Sequence, residues 1–247
     1  MNLANNVVLI TGGSSGIGLE LSQRLSKNNK VIICGRSKDK LLEVKKKHPE
    51  IEIFQCDVSE QQQCYDLVKW IKKNHGQLNV LVNNAAIVHT SQFANDDEIV
   101  EKAEIEVNTN FIGPIRLIKL LSPILQKNTN PTIINVTTGL IYAPRSTYPF
   151  YNATKAALHS FTQVLRLQLA HTKFNIIEVM FPAVKTPWHK GEAPKIAITT
   201  EKAVNEMMKG LASGKVEIKV AKVKLLHLLS RFFPKTALRK INNLTND

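Results

Sequence analysis

The stretch NVVLITGGSSGIG, residues 6–18, sets the frame in which the rest of the chain is read. Its first part, NVVLIT (6–11), is β-branched and almost continuously apolar, as a strand covered on both faces should be. Its second part, Thr11, Gly12, Gly13, Ser14, Ser15, Gly16, Ile17 and Gly18, leads directly into a helix candidate. Glycines let the backbone turn tightly there and approach a phosphate, while the helix N-terminus presents free N–H groups to negative charge. A glycine-rich loop alone is weak evidence, because turns are glycine-rich anyway. Placed between a first strand and a helix, it points toward dinucleotide binding.

Five further runs repeat the strand pattern: KVIICG (30–35), IEIFQC (51–56), LNVLVNNA (78–85), PTIINVTT (131–138) and NIIEVMFP (175–182). GKVEIKV (214–220) offers a seventh, at a sheet edge. Helix candidates at about 16–27, 37–47, 60–74, 97–127 and 150–172 lie between the main runs. This alternation predicts an α/β fold of Rossmann type: a doubly wound, mainly parallel sheet of six or seven strands with helices on both faces. No linker, repeat or low-complexity segment divides it, so residues 1–247 are expected to form one domain. The segment at about 186–214 fits the pattern least well, and about 221–243 form a basic, apolar tail.

The composition, 43% hydrophobic and 21% charged, is that of a chain able to bury a sizeable core. A net charge of +13 invites nucleic acid, acidic membrane or anionic substrate as partner. The lysines are spread along the chain, however, without zinc-finger spacing or an aromatic-interleaved RNA-binding pattern, so no nucleic-acid partner is expected. Three scattered cysteines, Cys34, Cys56 and Cys64, suit a reducing compartment. With no apolar run of membrane-spanning length, a cytoplasmic protein is the expectation.

Ligands in such sheets bind beyond the carboxyl ends of the strands. After the second strand, Gly35 occupies the place where NAD-binding folds usually carry Asp or Glu, and Arg36 and Ser37 follow. A carboxylate would repel a 2′-phosphate, whereas a guanidinium binds one, so NADP is expected over NAD. After the third strand, Asp57 and Val58 can meet an adenine edge, or Asp57 can cap the next helix. After the fourth, Asn83, Asn84, Ala85 and Ala86 let the chain pass close to a cofactor, and the asparagines can tie neighbouring loops together.

In YNATK (151–155), Tyr151 and Lys155 are one helical turn apart and leave the same face. A cation held beside a tyrosine favours the phenolate and brings its proton into the working range. An isolated pair of this kind is ordinary helix surface; the strand-end loops beside it make it a proton-transfer candidate.

Together, TG-x-x-x-G-x-G, the NNA-type turn and Y-x-x-x-K resemble the short-chain dehydrogenase/reductase family, from residue 5 to about 220. NTNFIGPI, ATKAALHSF and the basic tail resemble its DltE-like bacterial subgroup. The resemblance implies a catalytic tetrad. Tyr151 matches the acid/base and Lys155 the cation that lowers its pKa and binds the nicotinamide ribose. Asn110, with Asn108 as competitor, matches the asparagine that holds a water linked to the lysine. Thr138, thirteen residues before Tyr151, stands where the family has serine. Its methyl group restricts χ1 and crowds the site, while Thr137 faces the other side of the strand. Ala86 and Ala183 stand where glycine is usual, and Pro182, Val184 and Thr186 match contacts to the nicotinamide end.

The implied activity is NADP(H)-dependent hydride transfer to or from a small-molecule carbonyl or alcohol, by a homodimer built on the helices at about 97–127 and 150–172. A dinucleotide-binding sensor or scaffold, slowed by Thr138, is the rival reading. The segment 186–214 would carry substrate specificity, with Trp188, His189 and Lys190 as candidate contacts beside Tyr148 and Phe150. The tail, with Leu225, Leu226, Leu228, Leu229, Phe232 and Phe233 among basic residues, is expected to pack on its own domain or a partner subunit. Contact with an anionic membrane surface is the less favoured alternative, because Pro234 breaks the helix.

Overall fold

The apolar runs pair into seven strands in a computed structural model that describes residues 3–187 and 193–243. They are β1 (Val7–Thr11), β2 (Lys30–Gly35), β3 (Glu52–Gln55), β4 (Val80–Asn83), β5 (Thr132–Thr138), β6 (Asn175–Phe181) and the short β7 (Glu217–Lys219). All pair in parallel, in the order β3-β2-β1-β4-β5-β6-β7, which realises the doubly wound α/β expectation. The order reverses between β1 and β4, and the strand ends on either side of that point form the ligand crevice of such sheets.

Alternation along each strand explains why the runs are apolar throughout. Val8 and Ile10 of β1, with Val31 and Ile33 of β2, pack under α1 (Gly16–Leu25), α2 (Lys38–Lys47) and α7 (Thr200–Ala212). Leu9, Ile32 and Cys34 face the opposite layer, formed by α3 (Gln61–Asn74), α5 (Gly113–Leu125) and α6 (Pro149–Gln168). Each large aliphatic side chain so buried contributes roughly 1.5–3 kcal/mol.

Two expectations need correction. The helix candidate at 97–127 is broken: α4 (Ile99–Val107) gives way to a π-helical turn, Asn108–Ile112, before α5 begins. The segment at about 186–214, which fits the strand and helix pattern least well and carries no helix candidate, contains α7, whose Ala203, Val204, Met207 and Leu211 complete one core layer. Thr199 caps it by accepting from the Lys202 N–H at 3.2 Å. Trp188, His189 and Lys190 lie outside the described residues. The tail forms two helices, α8 (Val223–Phe232) and α9 (Pro234–Asn243).

Candidate active site

Pro149 opens α6, where a missing N–H costs nothing, and places Tyr151 in its first turn at the carboxyl end of β5. One turn later Lys155 is buried to 2% exposure. Its Nζ donates to the Val136 carbonyl at 2.9 Å and stands 6.0 Å from the centroid of the Tyr151 ring. Burial lowers the Lys155 ammonium to about 8, opposed by the nearby Glu178 carboxylate. Burial pushes the Tyr151 phenol above its ordinary value; its hydrogen bond with Thr138 opposes that rise, and Glu106 adds to it. Thr138 is buried at the end of β5, where its Oγ1 also accepts from the Leu140 N–H at 3.2 Å. Thr137 points the other way, donating to Glu178 Oε1 at 2.5 Å, as strand alternation requires.

The π-helical turn decides between the two asparagines. Asn108 is exposed, whereas Asn110 is fully buried. Asn110 Oδ1 accepts from the Ile87 N–H at 2.8 Å, and its Nδ2 donates to the Ile87 carbonyl at 2.9 Å and to Thr154 Oγ1 at 3.2 Å. It therefore clamps the chain leaving β4 against α6, one residue from Lys155. Such widened turns recur at functional sites.

At the other end of the crevice, the loop after β1 suits a phosphate. Gly16 has φ +54°, and a Cβ there would lie 3.1 Å from the Thr186 methyl, filling the cradle. A Cβ at Gly18 would come within 2.3 Å of the Gly12 carbonyl, so only glycine lets α1 close on the loop. Ser15, at the N-cap of α1, makes no side-chain capping bond, and the first turn holds no acidic residue. The first N–H groups of α1 are thus left to an anion, with Ser14 and Ile17 on either side and Thr186 across from them. These residues fit the pyrophosphate end of a dinucleotide.

Arg36 is exposed just beyond β2, and Ser37 caps α2 by accepting from the Lys40 N–H at 3.4 Å. Asp57 does not cap α3, whose N-cap is Glu60; instead its Oδ1 accepts from Ser59 N–H at 3.0 Å and Ser59 Oγ at 2.7 Å. The Val58 carbonyl receives Arg116 Nη1 at 3.0 Å. Both asparagines at the end of β4, Asn83 and Asn84, serve the framework. Asn83 Nδ2 donates to Asn135 Oδ1 at 2.9 Å, and Asn84 Nδ2 to the Thr11 carbonyl at 2.9 Å. Thr11 Oγ1 accepts from the Ala85 N–H at 2.9 Å. Neither Ala86 nor Ala183 has a positive φ, so alanine is accommodated without strain. Val184 bridges to Ile198, leading the chain from Pro182 to Thr186 above α1.

Two buried carboxylates beside this site were not singled out from the sequence. Glu106 Oε1 accepts from the His89 N–H at 2.6 Å and faces His89 Nδ1 at 3.1 Å, while Oε2 has no hydrogen-bond partner among the described residues. Burial raises its carboxyl to about 7, opposed by the His89 N–H. Glu178, on β6, meets His159 Nδ1 at 2.8 Å behind Lys155. Glu106 lies one turn before Asn110 on the same face, which was the available signal; a glutamate in an amphipathic helix otherwise reads as surface.

A parallel sheet with a glycine-rich phosphate cradle at its switch point, and a Tyr–Lys pair at the neighbouring strand end, defines a nicotinamide-dependent oxidoreductase. The family model for short chain dehydrogenase matches residues 6–197, and the chain belongs to that family. It is 43% identical over 224 residues, 88% of this chain and 89% of the other, to a Bacillus subtilis (strain 168) protein described as uncharacterized oxidoreductase DltE. A short chain dehydrogenase from Burkholderia cenocepacia J2315, crystallised with NADP, superposes with a TM-score of 0.86 at 22% identity, covering 98% of this chain and 99% of that one. A 3-ketoacyl-(acyl-carrier-protein) reductase from Brucella melitensis, complexed with NADH, gives 0.77 at 27% identity over 85% and 91% of the two chains.

Proposed function

We propose that this chain is an NADP(H)-dependent reductase or dehydrogenase of a small-molecule carbonyl or alcohol, with Tyr151 as its acid/base. The observation that carries this reading is the hydrogen bond between Tyr151 and Thr138 beside the buried Lys155. A reacting oxygen held between those two hydroxyls would meet a hydrogen-bond donor and a proton source together.

The bound cofactor supplies or accepts the hydride. The loop from Gly12 to Gly18 would hold its pyrophosphate, and Arg36 and Ser37 would meet the 2′-phosphate that distinguishes NADP. Asp57 and Val58 would border the adenine, the Asn84–Ala86 turn would let the chain pass close to the cofactor, and Pro182, Val184 and Thr186 would border the nicotinamide end. In the reducing direction Thr138 donates to the substrate carbonyl oxygen and fixes its position. Tyr151 gives its proton to that oxygen as negative charge develops there. Lys155, as the ammonium, stabilises the phenolate that remains. Asn110 holds the Ile87 loop against α6 and supports proton return to Lys155. Three buried, free cysteines agree with a reducing cytoplasm. Val164 and Leu167, exposed on α6, suit a homodimer through that helix and α5.

Fluorescence titration with NADPH and NADH, before and after Arg36→Ala, tests the cofactor assignment. Tighter NADPH binding that depends on Arg36 supports it; a preference for NADH overturns it. A carbonyl screen with Tyr151→Phe as control then tests the chemistry.

A further inference from the structure

The tail leaves most of its large apolar residues exposed. Of residues 221–243, only Val223 and Ala237 are buried. Leu225 (64% exposed), Leu228 (53%) and Phe232 (73%) follow the i, i+3, i+7 spacing of one helix face, and Phe233 (62%) continues them. Pro234 starts α9 rather than interrupting this stripe, which is complete on α8 by Phe232. Packing on its own domain therefore accounts for Val223, the half-buried Leu226, His227 against Tyr142, and Ala237, and not for the Leu225–Leu228–Phe232 stripe.

Lys222, Lys224, Arg231, Lys235, Arg239 and Lys240 accompany the stripe, and residues 221–243 contain no Asp or Glu. This charge selects the occupant. A second copy would bring the same cationic face and repel it. Nucleic acid would match the charge but leave leucine and phenylalanine in water. An anionic lipid surface satisfies both, taking aromatic and aliphatic side chains between its headgroups while its phosphates meet the lysines and arginines. A groove of about 1010 Å³ beside α9 continues the pattern, lined by Leu140, Ala153 and Leu238 together with Arg145, Lys235 and Arg239. The hairpin is also fixed to the loop that precedes Tyr151: Asn242 Oδ1 accepts from the Ser146 N–H at 2.7 Å, and its Nδ2 donates to the Pro144 carbonyl at 3.1 Å.

We propose that α8 and α9 dock the protein on an anionic phospholipid surface. Bound in this way, the chain would carry the loop beside its candidate active site next to the lipid headgroups.

Co-sedimentation of the full chain with phosphatidylcholine vesicles, with and without phosphatidylglycerol, tests this. The expected result is binding to the anionic vesicles at least ~10-fold tighter than to neutral ones, falling as salt is added. The double variant Phe232→Ser/Phe233→Ser and the double variant Lys235→Glu/Arg239→Glu should each weaken it by roughly 10-fold or more while leaving cofactor affinity unchanged. That retained affinity shows that the variants fold. Absence of binding to anionic vesicles, or equal binding to both kinds, overturns the proposal. So does loss of a dimer in analytical ultracentrifugation for the Phe232/Phe233 variant without vesicle binding, which would assign the face to a second copy. Tighter binding to duplex DNA that ignores the Phe232/Phe233 change would assign it to nucleic acid.

Discussion

The candidate catalytic corner and the C-terminal hairpin depart from the usual partition of side chains in opposite senses. Around Tyr151, Lys155, Asn110, Glu106 and Glu178 are buried to 2% exposure or less. On the hairpin, Leu225, Leu228, Phe232 and Phe233 are more than half exposed. Burying an ionisable group costs several kcal/mol unless it is paired, and leaving a large apolar group in water forgoes roughly 1.5–3 kcal/mol. Each region gives up stability in a different currency. The first thereby acquires shifted proton affinities, and the second a surface able to meet something else.

The comparison can be broken at its sharpest point by Tyr151→Phe. Loss of the hydroxyl should lower kcat by roughly 10²–10⁴-fold with cofactor affinity retained; turnover that survives would remove Tyr151 from the acid/base role. Glu106→Gln comes next. A carboxyl raised from 4.5 to about 7 keeps its proton in the folded chain where the unfolded chain has lost it. Its contribution is therefore complete below pH 4.5 and is lost as pH rises through 7, by on the order of 3 kcal/mol at most. Thermal unfolding from acid to neutral pH should show that decline in the wild type and a flatter profile in the variant.

Arg36→Ala should weaken NADPH by roughly 10- to 100-fold and NADH very little, since only the former carries the group a guanidinium would bind. Thr138→Ser keeps the hydroxyl and removes one methyl, so turnover should change by less than about 10-fold. A gain of two orders of magnitude or more would instead favour the sensor reading. Phe232→Ser/Phe233→Ser should alter unfolding free energy by no more than about 0.5 kcal/mol per site, as expected where no packing is lost. A larger loss in denaturant titration would mean that these rings pack in the folded chain.

Much of this architecture was legible in residue order. The near-continuous β-branched runs marked six strands because both of their faces are covered, and glycine spacing marked the phosphate loop because its backbone turn and the close approach of α1 restrict the residue type. α7 was missed because its polar, lysine-bearing run follows a threonine- and proline-containing stretch that resembles loop, and its burial depends on α1 and β7. The break in the helix at Asn108–Ile112 had a weak local signal, Asn-Thr-Asn followed by Gly113-Pro114, all poor helix formers, which the apolar periodicity on either side outweighed.

The sequence by itself determined the order of elements, the parallel sheet, the glycine cradle and the placement of Tyr151 and Lys155 on one helical face. These follow from short-range periodicity and backbone sterics, which act over a few residues. Tertiary structure alone decided that Asn110 and not Asn108 is buried and that Glu106 meets His89. It likewise brought Glu178 behind Lys155 and left the stripe on α8 uncovered. Burial and pairing depend on which segments arrive from far along the chain, and hydrophobic pattern within one segment does not contain that information.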